Sequence, residues 1–161
     1  MLRHQSIPLW REAQRVIPVV QTQQHGGVVM TLLAIEMYPD GSVLTALLRV
    51  VSGTPEIPVR FPGLAFEFTM TDDRGGSYEG RLDQIRTHSG PDFWHGRAKC
   101  ESIPAIDPLA QELRIEIPEL RWMRQELPYQ ERSRIVPGEI THGPWSFTVR
   151  FPPAQLKRNQ P

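Results

Sequence analysis

The chain contains 161 residues with 18 basic and 18 acidic side chains, so its formal net charge is zero, and Cys100 is its one cysteine. This length predicts a single domain, residues 1–161, that folds around its own core without disulfides or a structural metal. Because both signs of charge are interspersed, the chain has no overall field that would attract nucleic acid or an anionic membrane, and we expect neither as a partner.

The N-terminal segment, residues 1–13, precedes the first predicted strand as an extension. Charged residues and proline interrupt its apolar residues, so it lacks the apolar core of a secretory signal peptide. The longest apolar stretch, residues 43–51, is broken by Thr45 and Arg49 and is far shorter than the roughly 20 residues of a membrane-spanning helix. We therefore expect a soluble chain with neither a signal peptide nor a transmembrane segment, and the sequence leaves its compartment unknown.

The first three predicted strands lie between residues 15 and 52. Residues 15–23 (RVIPVVQTQ) predict a strand at a sheet edge, because Pro18 has no N–H to donate to a ladder. Residues 27–38 and 42–52 are largely apolar and flank a Pro-Asp-Gly turn. Their β-branched residues and the short connection between them favour a long hairpin over a helix.

Four further segments alternate apolar and polar residues with the period of two that is typical of half-buried strands. They are LAFEFTMTD (residues 64–72), FWHGRAKCES (93–102), ELRIEIPEL (112–120) and PWSFTVRFP (144–152). The total is about seven strands, and Asp107 followed by Pro108 allows at most one short helical turn. The inward phase of the strands predicts a core that includes Leu44, Leu48, Leu64, Phe66, Phe68, Trp94, Leu113, Ile115, Phe147 and Val149.

The order of these segments resembles small immunoglobulin-like β-sandwich domains of uncharacterised bacterial proteins. The resemblance rests on GVVMTLLAIEMY, SVLTALLRV, the DDRGGSY turn, FWHGRAKCESIPAIDPLAQELRIEI and GPWSFTVRF, and it covers roughly residues 15–151. It implies an all-β, antiparallel sandwich of about seven strands, and it implies no activity and no catalytic residue. In that group such domains often follow anti-sigma-factor segments or a lipoprotein signal.

The stretch MTDDRGGSYEG, residues 70–80, carries the densest chemical signal in the chain. Asp72 and Asp73 are adjacent, whereas a calcium loop needs carboxylates at alternate positions, and neighbours on a strand point to opposite faces. An aspartate that opens a turn and glycines that close it are typical of a strand reversal. The stretch therefore predicts a corner between two strands, where the Asp72 carboxylate needs a partner because it points to the side of Phe68 and Met70.

Other titratable side chains give little support for catalysis or metal binding. Cys100 shares the strand phase of Trp94, which predicts a buried packing thiol rather than a nucleophile. His95 lies on the opposite face and is expected to face solvent, and an approach across a loop would be needed to bring it to His88. We expect no metal, no cofactor and no catalytic residue, because none of the histidines has the spacing of a metal site: His4, His25, His88, His95 and His142.

The polar stretch of residues 125–143 predicts a long loop excursion, and residues 152–161 predict a frayed tail. Acidic residues are interleaved with basic ones in this loop, so a solvated loop of mixed charge is the competing interpretation. Basic and aromatic residues in or beside the loop are the candidate partner-binding residues: Arg121, Trp122, Arg124, Tyr129, Arg132 and Arg134.

Three function hypotheses follow from these observations. The first is a non-enzymatic interaction module that binds a protein partner or itself through a sheet edge, a sheet face or the loop. The second is a carbohydrate-binding or adhesion domain, which needs at least two exposed coplanar aromatic rings. The third is a loop-based hydrolase, which needs Asp72, Asp73 or Asp92 beside His88 or His95. Fold class alone does not choose among them, because β-sandwiches host many unrelated functions.

Overall fold

The computed structural model describes residues 13–51, 63–90, 93–126 and 134–153. Within these ranges there is no helix, and hence none that could cross a membrane. The described residues form nine strands: β1 (Arg15–His25), β2 (Val28–Tyr38), β3 (Gly41–Val50), β4 (Gly63–Ala65), β5 (Glu67–Asp72), β6 (Ser77–Ser89), β7 (Trp94–Ile103), β8 (Glu112–Glu126) and β9 (Arg134–Arg150).

The strands form one antiparallel sheet in the order β1, β2, β3, β7, β6, β5, β8. β9 pairs with β8 along most of its length. β4 and β5 both pair with the other edge of β8, β4 opposite residues 121–123 and β5 opposite residues 113–116. They are therefore two halves of one interrupted strand, and the ladder runs without a break from β1 to β9.

Side chains rather than a backbone ladder join β1 to β9. Gln21 Nε2 donates to the carbonyl oxygen of Thr148 at 2.8 Å. The Arg15 guanidinium donates to the carbonyl oxygen of Pro152 and lies 5.6 Å from the centre of the Phe151 ring. In the described ranges no backbone pairing connects these two strands. The sheet is thus a nearly closed barrel with a seam between β1 and β9.

β-Bulges explain why the sheet curls, since each extra residue bends its strand and increases the local twist. The register shifts near Pro18 in β1, Leu32 in β2, Leu82 in β6 and at two places in β8. A sandwich would divide the strands between two packed sheets, whereas here one sheet folds back on itself. The predicted all-β, antiparallel class is confirmed, but the seven-strand immunoglobulin-like sandwich is wrong.

The concave side of the sheet holds the core, and all ten predicted core residues are buried. The Trp94 and Trp122 rings meet edge to face, with their centroids 4.9 Å apart. Trp145 is also buried, and its Nε1 donates to the carbonyl oxygen of Val28 at 3.3 Å. Phe147 is 2% exposed, which confirms the strand phase assigned to the last strand.

Strand β6 has no counterpart among the predicted strands. Its inward positions include Gly80, and the bulge near Leu82 shifts the phase of the strand half-way along. Most of its remaining residues are polar, so the alternation that marks the other strands is absent from its sequence. Pairing with β5 and β7 makes this segment a strand, and that pairing depends on residues far along the chain.

The predicted loop of residues 125–143 is also wrong over most of its length. Residues 134–143 form the first part of β9 and pair with β8 across two register shifts, which destroy the simple periodicity in the sequence. The centre of the predicted loop, residues 127–133, lies outside the described residues, as do residues 1–12 and 154–161. Near Asp107 the chain makes one turn, closed by the Ala110 N–H on the Asp107 carbonyl oxygen at 3.0 Å.

Candidate functional site

The turn between β5 and β6 confirms the predicted strand reversal. The Asp72 N–H donates to the carbonyl oxygen of Gly76 at 3.0 Å, and Gly75 has a φ of 84°, which glycine tolerates. Asp72 Oδ1 accepts hydrogen bonds from the N–H groups of Arg74 (2.8 Å) and Gly76 (2.7 Å). Glycine is required at position 76, because a Cβ atom there would lie 2.3 Å from Asp72 Oδ2.

Tyr78 links this turn to the segment that follows β7. Its hydroxyl donates to Asp72 Oδ2 at 2.5 Å and accepts from the Asp107 N–H at 2.9 Å. Asp107 in turn accepts from Arg74 Nε (3.0 Å) on one carboxylate oxygen and from the Leu109 N–H (2.9 Å) on the other. We refer to this region as the aspartate corner, which comprises Asp72, Asp73, Tyr78 and Asp107.

Asp73 holds the start of β8 in place. Its Oδ1 accepts hydrogen bonds from the N–H groups of Gln111 (2.9 Å) and Glu112 (3.3 Å). The neighbouring carboxylates of Asp72 and Asp73 therefore diverge to different partners, as the sequence predicts. In the described ranges no group of three or more His, Cys, Asp or Glu side chains is placed to hold a metal ion.

The aspartate corner stabilises its carboxylates in the charged form. Partial burial acts to raise the pKa of Asp72, but hydrogen bonds from the Tyr78 hydroxyl and from the Gly76 and Arg74 amides outweigh burial and lower it. The amide of Gln111 lowers the pKa of Asp73. Burial and the bond to Asp72 raise the pKa of Tyr78. The same hydrogen bonds that lower the pKa values of Asp72 and Asp73 hold the turn and the start of β8, which is a structural role.

Cys100 is buried, as its strand phase predicts. Burial, together with the negative charge of Asp83, raises the pKa of its thiol to about 12. A nucleophilic cysteine needs a lowered pKa, so the burial of this thiol opposes that role and fits the predicted packing role.

The predicted partner-binding residues do not form one exposed surface. Trp122 is 1% exposed and its Nε1 donates to Thr141 Oγ1 at 2.8 Å, so the prediction that it anchors a partner is wrong. Its inward phase on the barrel strand buries it. Arg121 is exposed and forms an ion pair with Glu119 at 2.9 Å. Arg124 and Arg134 lie in β8 and β9, where the structure describes their backbone pairing only, and Tyr129 and Arg132 lie outside the described residues.

Two histidines do come together, on the outside of the barrel. His88 in β6 and His95 in β7 are directly opposite each other in the ladder. The Phe93 ring lies 5.5 Å from His88 and 5.4 Å from His95, centroid to centroid. The aspartate corner is at the opposite end of β6, about 30 Å of extended strand away, so neither Asp72 nor Asp73 can assist these histidines. Asp92 lies outside the described residues.

The histidines belong to a larger cluster of basic side chains. Residues opposite each other in an antiparallel ladder point to the same side of the sheet. In β3, β7 and β6 one row contains Arg49, His95 and His88, and the next row contains Leu47, Arg97 and Arg86. Lys99 follows in a third row. We call this surface the cationic face; it comprises Leu47, Arg49, Arg86, His88, His95, Arg97 and Lys99.

The basic residues of the cationic face have no acidic partners in the described part of the chain. None of Arg49, Arg86, Arg97 and Lys99 forms an ion pair there, whereas the exposed arginines of β8 and β9 pair with Glu112 or Glu119. Arg86 and Arg97 are directly opposite each other, an arrangement of like charges that destabilises a sheet. The arrangement therefore costs stability unless an anion binds to it.

A shallow hollow of about 380 Å³ lies within the cationic face. Its lining includes apolar residues, among them the exposed Leu47 (41%) and the buried Val29. Arg86 and Arg97, on β6 and β7, also line it, and Arg49 lies on β3 beside Leu47, directly opposite Val29. A hollow lined by both apolar and cationic side chains suits an anion that carries an apolar group.

The sequence does contain a signal for this face, although it is incomplete. His95, Arg97 and Lys99 alternate along one strand, and the outward side of that strand can be predicted from its period. Arg86 and His88 show the same spacing in a segment that no periodicity identifies as a strand. Only the ladder register brings the two sets together, so the convergence could not be predicted from the sequence.

Comparison with known proteins supports the all-β fold and gives no information on activity. No family model matches this chain, and no curated protein sequence matches it. The crystal structure of the conserved domain protein from Bacillus anthracis resembles it, with a TM-score of 0.55 and 13% sequence identity. The match covers 86% of this chain and 49% of that one, so the chain spans about half the length of the protein that it resembles. At this identity the likeness supports an all-β domain and nothing finer.

Proposed function

We propose that this domain is a non-enzymatic interaction module that binds an acidic protein partner through the cationic face. One observation carries the proposal: Arg86 and Arg97 are held in direct opposition, and no acidic residue in the described ranges pairs with either. Repulsion between the two guanidinium groups destabilises the sheet when the domain is unbound. A partner that brings carboxylates to the face removes that repulsion, so the same charges favour association.

Acidic protein fits the face better than nucleic acid does. The chain as a whole is neutral, with 18 basic and 18 acidic residues. The row beyond Lys99 contains carboxylates as well as a base: Glu36, Val43, Glu101 and Arg81 lie opposite one another in turn on β2, β3, β7 and β6. A nucleic-acid backbone follows a longer cationic track than this, and the row of mixed charge ends the track after Lys99. A short acidic segment of a protein needs only the few basic residues that are present.

The other two function hypotheses have less support. Carbohydrate binding needs two exposed coplanar rings, whereas Trp94, Trp122 and Trp145 are all buried, and Phe93 is the exposed large aromatic residue of the described ranges. A hydrolase built on Asp72 or Asp73 would need them beside His88 or His95, and the length of β6 separates them. The cationic face favours binding over chemistry, because a nucleophile and an activated base are absent from its described residues.

A titration with poly-L-glutamate at several salt concentrations tests this proposal directly. We expect the wild-type domain to bind the polyanion and to lose affinity as salt rises, because the contacts are exposed charges. The double variant Arg86→Gln/Arg97→Gln should bind at least fivefold more weakly, on the order of what two exposed ion pairs contribute.

The matched control is Arg114→Gln/Arg150→Gln, which removes two exposed arginines on β8 and β9. This variant should bind poly-L-glutamate as well as the wild type does. Equal losses in the two double variants would mean that net charge alone controls binding, and the cationic face would then have no special role.

A further inference from the structure

The hollow in the cationic face has a spacing that selects among acidic partners. Leu47, Arg97 and Arg86 occupy one row, on the neighbouring strands β3, β7 and β6. Adjacent strands are about 4.8 Å apart, so the two arginines lie about 5 Å and about 10 Å from Leu47 along the row. The row therefore presents one apolar side chain, Leu47, followed by two positively charged ones, Arg97 and Arg86.

An extended peptide that crosses the strands along this row can place one side chain over Leu47 and its second neighbour between the two arginines. Side chains at i and i+2 of an extended chain point to the same side and are about 6.6 Å apart. With an aliphatic side chain at position i over Leu47, the side chain at i+2 falls between Arg97 and Arg86. A side chain at i+1 points away from the sheet, so an acidic residue there cannot reach the same place.

Arginine is well suited to this role. Its planar guanidinium binds a carboxylate through two parallel hydrogen bonds, and two arginines on either side of a carboxylate hold it from both sides. Leu47 is 41% exposed and supplies an apolar surface next to them. Burying an aliphatic side chain against it adds a contact that does not depend on charge.

We infer that the cationic face recognises an extended segment of a partner protein in which an aliphatic residue and an acidic residue are separated by one residue. This inference rests on the proposed function and deepens it, because it names the sequence pattern that the acidic partner carries. Leu47 selects the aliphatic residue, and Arg97 and Arg86 select the acidic one. Arg49 and Lys99, in the two flanking rows, attract further acidic residues without requiring a fixed spacing.

Two peptides of identical composition test the spacing. The first is acetyl-Gly-Leu-Ser-Glu-Gly-amide and the second is acetyl-Gly-Leu-Glu-Ser-Gly-amide, each titrated into the ¹⁵N-labelled domain and followed by amide chemical shifts. We expect the first peptide to bind at least threefold more tightly and to shift the amides of β3, β7 and β6. The difference is on the order of one exposed Arg–carboxylate pair.

Variants on the face then assign the two halves of the pattern. Leu47→Ser should reduce the preference for the first peptide to less than twofold, and Arg86→Gln/Arg97→Gln should abolish it. Leu47 is exposed, so its replacement is expected to leave the fold intact, and the amide spectrum of the free variant checks this.

The possible outcomes separate the inference from the proposed function. Equal binding of the two peptides, while poly-L-glutamate still binds, would overturn the spacing inference and leave the acidic-partner proposal standing. Failure of both peptides and of poly-L-glutamate would overturn both. A single-stranded oligonucleotide that binds more tightly than poly-L-glutamate at the same salt concentration would overturn the protein occupant in favour of nucleic acid.

Discussion

The aspartate corner and the cationic face are both clusters of charged residues, and they use charge in opposite ways. In the corner, Asp72, Asp73 and Asp107 each accept hydrogen bonds from nearby backbone amides, and Asp72 and Asp107 also bind side chains. On the face, Arg86 and Arg97 oppose each other without an acidic partner in the described residues. The carboxylates of the corner have hydrogen-bond partners within the fold, whereas Arg86 and Arg97 have no acidic partner among the described residues, and we propose that a partner protein supplies one.

The difference shows which kind of charged cluster indicates a binding site. Asp72 and Asp73 are adjacent in the sequence and look like a reactive motif, yet their hydrogen bonds hold a turn. The residues of the face come from three separate segments, with Arg49 37 positions before Arg86, and no sequence pattern shows that these segments converge. The proposed binding site therefore rests on charges that lack an acidic partner in the described residues, and a high local density of charge does not support it.

Removing a core side chain should change the free energy of unfolding more than any change in the corner or the face. Phe147→Ala should lower the free energy of unfolding by about 3–5 kcal/mol, because it removes a large buried side chain and leaves a cavity. Denaturant unfolding of the variant measures this. The exposed neighbour Thr148→Ala should change stability by less than about 0.5 kcal/mol. Equal effects at the two positions would contradict the strand phase of β9.

Breaking the aspartate corner should cost less than the core but still be clearly measurable. Asp72→Ala removes the acceptor for the Arg74 and Gly76 amides and for the Tyr78 hydroxyl, and we expect a loss of about 1–3 kcal/mol in the free energy of unfolding. A double-mutant cycle with Tyr78→Phe checks that the loss comes from this network, since the two losses should not add. Full additivity would mean that Asp72 acts without Tyr78.

The corner also makes stability depend on pH. The pKa values of Asp72 and Asp73 are lowered in the folded state from an ordinary value of 3.8. Their contribution to stability is therefore complete above that value and is lost as the pH falls through the folded-state pKa values. We expect the free energy of unfolding of Asp72→Asn to fall less steeply than that of the wild type below about pH 4. Parallel curves would contradict the role assigned to the carboxylate.

A charge reversal on the cationic face should raise the free energy of unfolding, whereas the changes in the core and the corner lower it. Arg97→Glu places a carboxylate directly opposite Arg86, so the unbound domain should gain about 0.2–1 kcal/mol of stability. The same variant should lose binding to poly-L-glutamate. Thermal unfolding and titration of one preparation measure both effects. If Arg97→Glu is less stable than the wild type and binds poly-L-glutamate equally well, the proposed repulsion and the proposed binding role of the face are both wrong.

The sequence predicted local features well and long-range ones poorly. Period-two alternation identified the inward phase of Phe68, Trp94, Ile115 and Phe147, and turn chemistry identified the reversal after Asp72. Strand β6 escaped prediction because Gly80 and a bulge break its alternation. The barrel escaped prediction because bulges in several strands decide whether a sheet splits or curls, and no local pattern reports their combined bend.

The candidate site could also be predicted only in part, because its convergence depends on strand register. That Arg97 and Lys99 face outward follows from the strand period, but their neighbours across the ladder follow only from register. Trp122 was assigned to an exposed surface because the residues around it are charged, and the inward phase of β8 buries it instead. Burial and register depend on the whole sheet, so a short window of sequence cannot supply them.

The seam between β1 and β9 gives the barrel a defined place at which to open. Amide hydrogens of β1 that point towards β9 have no ladder partner in the described residues. The Gln21 side chain bridges the seam by donating to the Thr148 carbonyl oxygen, which leaves the β1 amides themselves without a ladder bond. These β1 amides should exchange with solvent deuterium before the amides that are hydrogen-bonded between β2 and β3. The latter exchange only when the whole β2–β3 ladder opens. The order of exchange around the barrel would then follow the order of the strands, from the seam inward.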